Sequence, residues 1–385
     1  MPSNNDRPGA PEFRGEVATQ PLPGVPPSST LVIPRIESLE ALRGFAAVYV
    51  FAGHLAVVRY GEHLSSGLKF GFRFGQEAVI LFFLVSGFVV HLSTELHHDT
   101  RFRSYFRRRA LRIYPIFLLA VLVSIALAPG GGASSHTSLD VLGNILMLQD
   151  RSYAKPGVWV SLVGGNAPLW SLSYEWWFYM AYFPMRSIAA PRQVHLVGAI
   201  SLVGLATYWA LPNQLSLFLL YFLIWWMGVE FAKAYLNSEI WSKSLRAGMA
   251  YGGLLTIMLA LWALGYHASN LELPLGGHPV LEFRHYFACV VMSAVALIWR
   301  TRGWSVPRIL RMFSIFAPIS YGLYVLHYPI AITSTYLSWV PSVALQAALY
   351  VALAFLAAFL AEIPYQRAVK RAVSWVLGRR ASAEA

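Results

Sequence analysis

Two residues able to do chemistry stand in one apolar stretch. From Ile36 to Leu55 the chain reads I-E-S-L-E-A-L-R-G-F-A-A-V-Y-V-F-A-G-H-L, with Arg43 near its start and His54 near its end. Eleven residues at about 100° each make three turns plus roughly 20°, so the two share one helix face. At about 1.5 Å per residue they lie roughly 16 Å apart along the axis. Ionisable groups inside a membrane span cost free energy, so each is a functional candidate until a partner explains it. An imidazole can take a proton from a hydroxyl, and a guanidinium can hold a phosphate. The plain alternative is an arginine that snorkels to the inner surface and a histidine that packs between helices.

Further polar residues fall into two layers. Glu175 lies about six residues into an apolar segment starting near 169, and His327 about 14 residues into one starting near 313, at about 1.5 Å per residue. With the N-terminus inside, His54, Glu175 and His327 all fall in the outer half or near the middle, where a carboxylate and two imidazoles can satisfy one another. The inner layer holds Arg43 and the arginines of F-R-R-R-A-L-R-I-Y-P at 106–115. Arg109 and Arg112 are i, i+3 neighbours on one face, and a pair of guanidinium forks there suits a pyrophosphate or 3′-phosphate. Arg107 and Arg108 read as membrane anchors. A basic inner layer and a His/Glu outer layer divide the labour: an anionic activated donor arrives from the cytosol and is consumed deeper in.

The elements that must position these residues are membrane spans. The chain is 57% hydrophobic and only 12% charged, with a mean hydropathy of +0.52, whereas soluble domains run near 25% charged. This predicts an all-α, polytopic membrane protein with about ten transmembrane helices, near 38–58, 77–96, 111–128, 169–185, 194–211, 215–235, 247–266, 282–299, 313–338 and 342–362. With both termini cytoplasmic, Lys and Arg concentrate in the inner loops and C-tail, as the positive-inside rule requires. The net charge of +12 therefore reports topology, and no nucleic-acid partner is expected. Residues 1–34, rich in Pro, Ser, Asn and Gly, predict a disordered cytosolic tail. Residues 35–365 form the membrane domain, and 366–385 a basic amphipathic tail against the lipid surface. In the longest outer loop, 129–168, Leu139 to Leu148 is apolar enough to lie on the membrane or cap the site. The single cysteine, Cys289, excludes an internal disulfide framework. No secretory signal is expected at the N-terminus, and no internal repeat of the transporter kind is visible.

Five segments together resemble the acyltransferase family 3 membrane proteins. They are L-E-A-L-R-G-F-A-A-V-Y-V-F-A-G-H at 39–54, F-F-L-V-S-G-F at 82–88, F-R-R-R-A-L-R-I-Y-P, P-L-W-S-L-S-Y-E-W-W-F-Y at 168–179 and S-Y-G-L-Y-V-L-H-Y-P at 320–329. They occur in the family's order and cover about 36 to 365. The resemblance implies transfer of an acyl group, commonly acetyl from acetyl-CoA, to a hydroxyl of a cell-surface glycan or glycolipid at the cell inner (plasma) membrane. It makes His54 the catalytic histidine, matches Arg43, Arg109 and Arg112 to the arginines linked to donor use, and matches Ser86 and Gly87 to the small-residue motif of span two. Glu175 is followed here by Trp176 and Trp177, where many members carry a second polar position. Acyl-CoA is then a co-substrate. No permanently bound cofactor, no metal site and no second, extracytoplasmic hydrolase-like domain are expected.

On this reading His54 is the general base on the acceptor hydroxyl and Glu175 orients its imidazole, as a carboxylate does in a triad. His327 or Tyr324 binds the thioester oxygen or the acceptor. A covalent acyl-histidine is also compatible with these residues. The competing class is a glycolipid or small-molecule transporter whose path is lined by the same polar layer. The missing repeats and the inner arginines argue against it.

Overall fold

The computed structural model describes residues 36–98, 101–128, 137–269 and 275–383, with side chains as far as 376. The tail expected to be disordered, 1–34, and the opening of the outer loop, 129–136, lie outside the described residues. The described elements are α1 (Glu37–Gly53), α2 (Ser66–Gly71), α3 (Gly75–Leu96), α4 (Phe102–Leu127), α5 (Ser138–Ile145), α6 (Leu169–Met185), α7 (Ala190–Ala210), α8 (Gln214–Leu236), α9 (Lys243–Ala268), α10 (Val280–Thr301), α11 (Arg308–Arg311), α12 (Ser320–His327), α13 (Val343–Leu360) and α14 (Gln366–Ala383), with short 3₁₀ and π turns between some of them. Among the described residues, nine helical stretches are long and apolar enough to cross a membrane. The chain is an all-α polytopic membrane protein.

The expected span outside these nine is the fourth, α6, with 17 residues. At about 1.5 Å per residue it is roughly 25 Å long, slightly less than a hydrocarbon core. Its neighbours cover it. Trp170, Tyr174, Phe178 and Tyr182 pack edge and face against Phe83, Tyr221, Phe222, Trp225 and Trp226, and this aromatic mass is the centre of the bundle.

Two close helix contacts set the frame around it. A Cβ on Gly87 of α3 would lie 2.2 Å from the Trp225 carbonyl oxygen, and one on Gly228 of α8 would lie 2.0 Å from that of Leu84. The two glycines therefore let α3 and α8 touch backbone to backbone. Gly44 does the same for α1, where a Cβ would meet the Phe313 carbonyl oxygen at 1.9 Å.

Three expected boundaries move. The third helix starts at Phe102 rather than near 111, so the arginine run lies inside it. Arginine is a good helix former, and hydropathy marks where hydrocarbon begins, not where the helix does. The ninth span is composite: a 3₁₀ segment (Met312–Ile319), α12, then a π turn (Tyr328–Ile332). Pro318 and Pro329 lack the N–H that a regular ladder needs. Finally, α13 runs through a π turn (Ala361–Tyr365) straight into α14, so the basic tail continues the last span without a loop.

Candidate functional site

Both candidate histidines sit where an α-helix widens. His54 begins a π turn, His54–Arg59, at the end of α1, and His327 closes α12 directly before the second π turn. Such widened turns recur at functional sites because they re-aim side chains that a regular helix would stack. The two rings lie nearly parallel, with centroids 5.2 Å apart, and His54 Nδ1 is 2.8 Å from His327 Nε2. His327 Nδ1 is 2.8 Å from the Leu323 carbonyl oxygen. A carbonyl only accepts, so His327 carries its proton on Nδ1 and, when neutral, accepts at Nε2. His54 must then donate from Nδ1. Its lone pair is left on Nε2, which takes no hydrogen bond among the described residues.

His54 lines a narrow cavity of about 20 Å³, with Val50, Gly75, Gln76, Val79, Arg151, Ala167, Pro168, Trp170 and Tyr324. That is room for about one water. The Tyr324 hydroxyl is 2.9 Å from Ser171 Oγ. Gln76 Oε1 is buried without a hydrogen-bond partner among the described residues.

Glu175 is placed elsewhere. Its Oε1 accepts from the Ser86 hydroxyl at 2.6 Å and from the Tyr179 hydroxyl. Ser86 Oγ in turn accepts from Trp225 Nε1 at 3.2 Å. The orienting bond to His54 expected of Glu175 is thus made by His327. The Ser86 hydroxyl is thus held among Glu175, Tyr179 and Trp225. Gly87 is pressed against the α8 backbone rather than toward the polar residues.

The inner layer is more tied up than its sequence implies. Arg112 forms a two-pronged ion pair with Glu362, at 2.6 and 3.3 Å, and its side chain keeps 37% exposure against 2% for the carboxylate. Glu362 Oε1 also accepts the Gly322 N–H at 3.1 Å. Arg109 turns to α3, donating to Ser93 Oγ at 2.5 Å and to the Val90 carbonyl at 3.3 Å, with its guanidinium over the Tyr105 and Tyr179 rings. The two arginines share a helix face but are committed to different partners. Arg43 donates to Ser320 Oγ at 3.3 Å and lies within electrostatic reach of Arg112, Glu362 and Glu175. Arg43, Arg112 and Glu175 therefore belong to one polar track, with Tyr179 beside Glu175 and Arg109.

Sequence reasoning missed Glu362 and Arg151. Glu362 is an acidic residue in the apolar run of the last span, and the rule that singled out His54 applies to it equally. Arg151 carried no such signal, because it reads as an ordinary outer-loop charge. The loop folds inward instead. Asp150 accepts from Lys155 Nζ at 3.0 Å, from the Tyr174 hydroxyl at 2.5 Å and from the Arg151 backbone N–H at 2.6 Å. Burial pushes the Lys155 ammonium below its ordinary value, against the opposing pull of Asp150. This pinned corner lays the Arg151 guanidinium 4.5 Å from the Trp170 ring centre. Above it, α5 starts on a capping box between Thr137 and Asp140, and Leu139 and Leu142 face outward.

A family model described as an acyltransferase domain, that of acyltransferase family 3, matches residues 36–363. Acyltransferase MdmB of Streptomyces mycarofaciens is 34% identical over 158 residues, covering 38% of this chain and 38% of that protein. The match thus spans well under half the length of that relative. Nodulation protein 10 of Rhizobium leguminosarum bv. viciae is 26% identical over 327 residues, covering 79% of this chain and 85% of that protein. No solved structure matches the chain.

Proposed function

This chain belongs to acyltransferase family 3, and from that premise we propose that it moves an acyl group, acetyl in the simplest case, from cytosolic acyl-CoA to a hydroxyl of a glycan or glycolipid. The family and the nine spanning stretches among the described residues make it an acyltransferase built as a multi-pass membrane protein. The proposed location is the plasma (inner) membrane, and the charge distribution supports an orientation with both termini in the cytosol.

The observation that carries the reading is the histidine pair. His327 holds His54 by Nδ1 and leaves the Nε2 lone pair free, which is the tautomer a general base needs. In the proposed step the acceptor oxygen attacks the thioester carbonyl carbon while its proton passes to His54 Nε2. The tetrahedral intermediate then collapses, the C–S bond breaks, and the coenzyme A thiolate leaves with the proton returned by His54. A positioned base of this kind contributes about 10²–10⁴-fold. Arg43, Arg109 and Arg112 meet the donor's phosphates. The roughly 16 Å rise from Arg43 to His54 is comparable to an extended pantetheine arm. In this scheme Glu175, Ser86 and Tyr179 line the way between the two layers.

The test uses membranes of the native host incubated with radiolabelled acetyl-CoA. Label should appear on glycan or glycolipid in wild type and be absent with His54→Ala at equal membrane abundance. Equal labelling in both removes His54 from the chemistry. A transporter would move glycolipid without taking up label.

A further inference from the structure

Arg151 is only 5% exposed, and although its side chain interacts with Tyr153, its Nε and Nη2 have no hydrogen-bond partner among the described residues. The adjacent carboxylate does not supply one. Asp150 is held by Lys155, Tyr174 and the Arg151 backbone N–H, and none of the hydrogen bonds to Asp150 comes from the Arg151 guanidinium. Buried donors left unpaired cost free energy, and each such group in a native structure needs an explanation. A guanidinium is more weakly hydrated than an ammonium, so burial costs it less, and the Trp170 face stabilises it there. It lines the same narrow cavity as His54. Arg151 therefore borders the space where the proposed base works and carries two donors without a partner among the described residues.

We propose that Arg151 is the oxyanion-binding residue of this enzyme, an inference that rests on the acyl transfer proposed above. When the acceptor oxygen bonds to the thioester carbon, the carbonyl π electrons move onto its oxygen. Arg151 Nε–H and Nη2–H hydrogen-bond that oxygen. The charge returns to re-form the carbonyl as the C–S bond breaks, and Arg151 keeps all its protons. Donors fixed before the reaction and shielded from water are the arrangement that most lowers such a barrier. The outer loop thus completes the site, since His54 comes from α1 and the cation from the segment between α5 and α6.

The experiment compares initial rates of label transfer from radiolabelled acetyl-CoA in native-host membranes containing the full chain, at limiting and saturating donor. Arg151→Met should lower the apparent kcat on the order of 10²-fold or more, with the KM for acetyl-CoA within about twofold. Arg151→Lys should recover part of the loss, and methylguanidinium should restore rate to Arg151→Ala, which a merely structural role would not allow. If Arg151→Met does not accumulate, Arg151→Lys carries the test, with a loss of about tenfold or more in kcat at unchanged donor KM. Unchanged kcat in either variant overturns the assignment, as does a change confined to acceptor dependence. Were wild-type membranes to transfer no label, the acyl-CoA reading itself would fall and the assignment with it. Were they to transfer label as well as the Arg151 variants do, only the assignment would fall.

Discussion

His54 and His327 stand 273 positions apart in the chain and share one hydrogen bond, 2.8 Å from Nδ1 to Nε2. The Leu323 carbonyl at the far side of His327 fixes the direction of that bond. In the proposed mechanism one ring is the working group and the other its positioning residue, without a carboxylate between them.

That order has kinetic consequences. His54→Ala should abolish transfer, whereas His327→Ala should lower kcat by about 10–100-fold and leave donor KM nearly unchanged, because it only frees the ring to rotate or change tautomer. His327→Gln, whose amide oxygen can still accept from Nδ1, should retain more rate than His327→Ala. Steady-state rates on labelled acetyl-CoA check this. A His327→Ala enzyme with full kcat would remove the pair from the mechanism.

Arg112 and Glu362 make a second pair whose two roles can be separated. Removing one partner strands a charge, and Glu362→Ala should lower the thermal midpoint of the solubilised protein. The double variant Arg112→Met with Glu362→Met should regain most of that stability but keep a raised KM for acetyl-CoA, because a cation proposed to meet the donor's phosphates is gone. Restoration of donor KM in the double variant would place the phosphates elsewhere.

Ser86 donates to Glu175, so Ser86→Ala should retain activity within about tenfold, at the cost of one charge-assisted hydrogen bond. Mass spectrometry after donor incubation should find no acyl group on this residue in wild type. An acyl-Ser86 adduct would sink the base-only route.

Gly87 and Gly228 are a packing matter. Gly87→Ala places a methyl 2.2 Å from the Trp225 carbonyl oxygen, and backbone cannot yield as a side chain does. The helices must part, with a loss of about 1–3 kcal/mol. The thermal midpoint should fall while the KM for acetyl-CoA in surviving protein stays within about twofold.

Lys155 and Asp150 are both fully enclosed, at 0% side-chain exposure. Asp150→Asn leaves a buried ammonium with a neutral partner. A cost of about 3–5 kcal/mol is expected, read as poor accumulation or a large drop in melting temperature. The same change should release Arg151 from Trp170, so activity per folded molecule should drop too.

Most spans are readable from the sequence, because burial in lipid demands long apolar runs and isolated charges within them are conspicuous, though not where α4 begins or how the ninth span breaks. By that route Arg43, His54, Glu175 and His327 were legible, and so was the arginine run opening α4. Ser86 and Gly87 stood out as a small-residue pair, but the physical demand on Gly87 is a helix crossing, which no single segment reveals.

Only the tertiary structure decided who pairs with whom. In sequence the orienting bond on His54 falls to Glu175, and the structure gives it to His327, since pattern gives depth and face along one helix but not the rotation of one helix against another. Packing turned Glu175 toward Ser86 and Tyr179, brought Glu362 to Arg112, and folded an outer-loop arginine under Trp170. A loop charge in water and a loop charge buried by a pinned turn have the same sequence signature. The difference lies in the partners that the fold brings to Asp150, and those come from contacts remote in the chain.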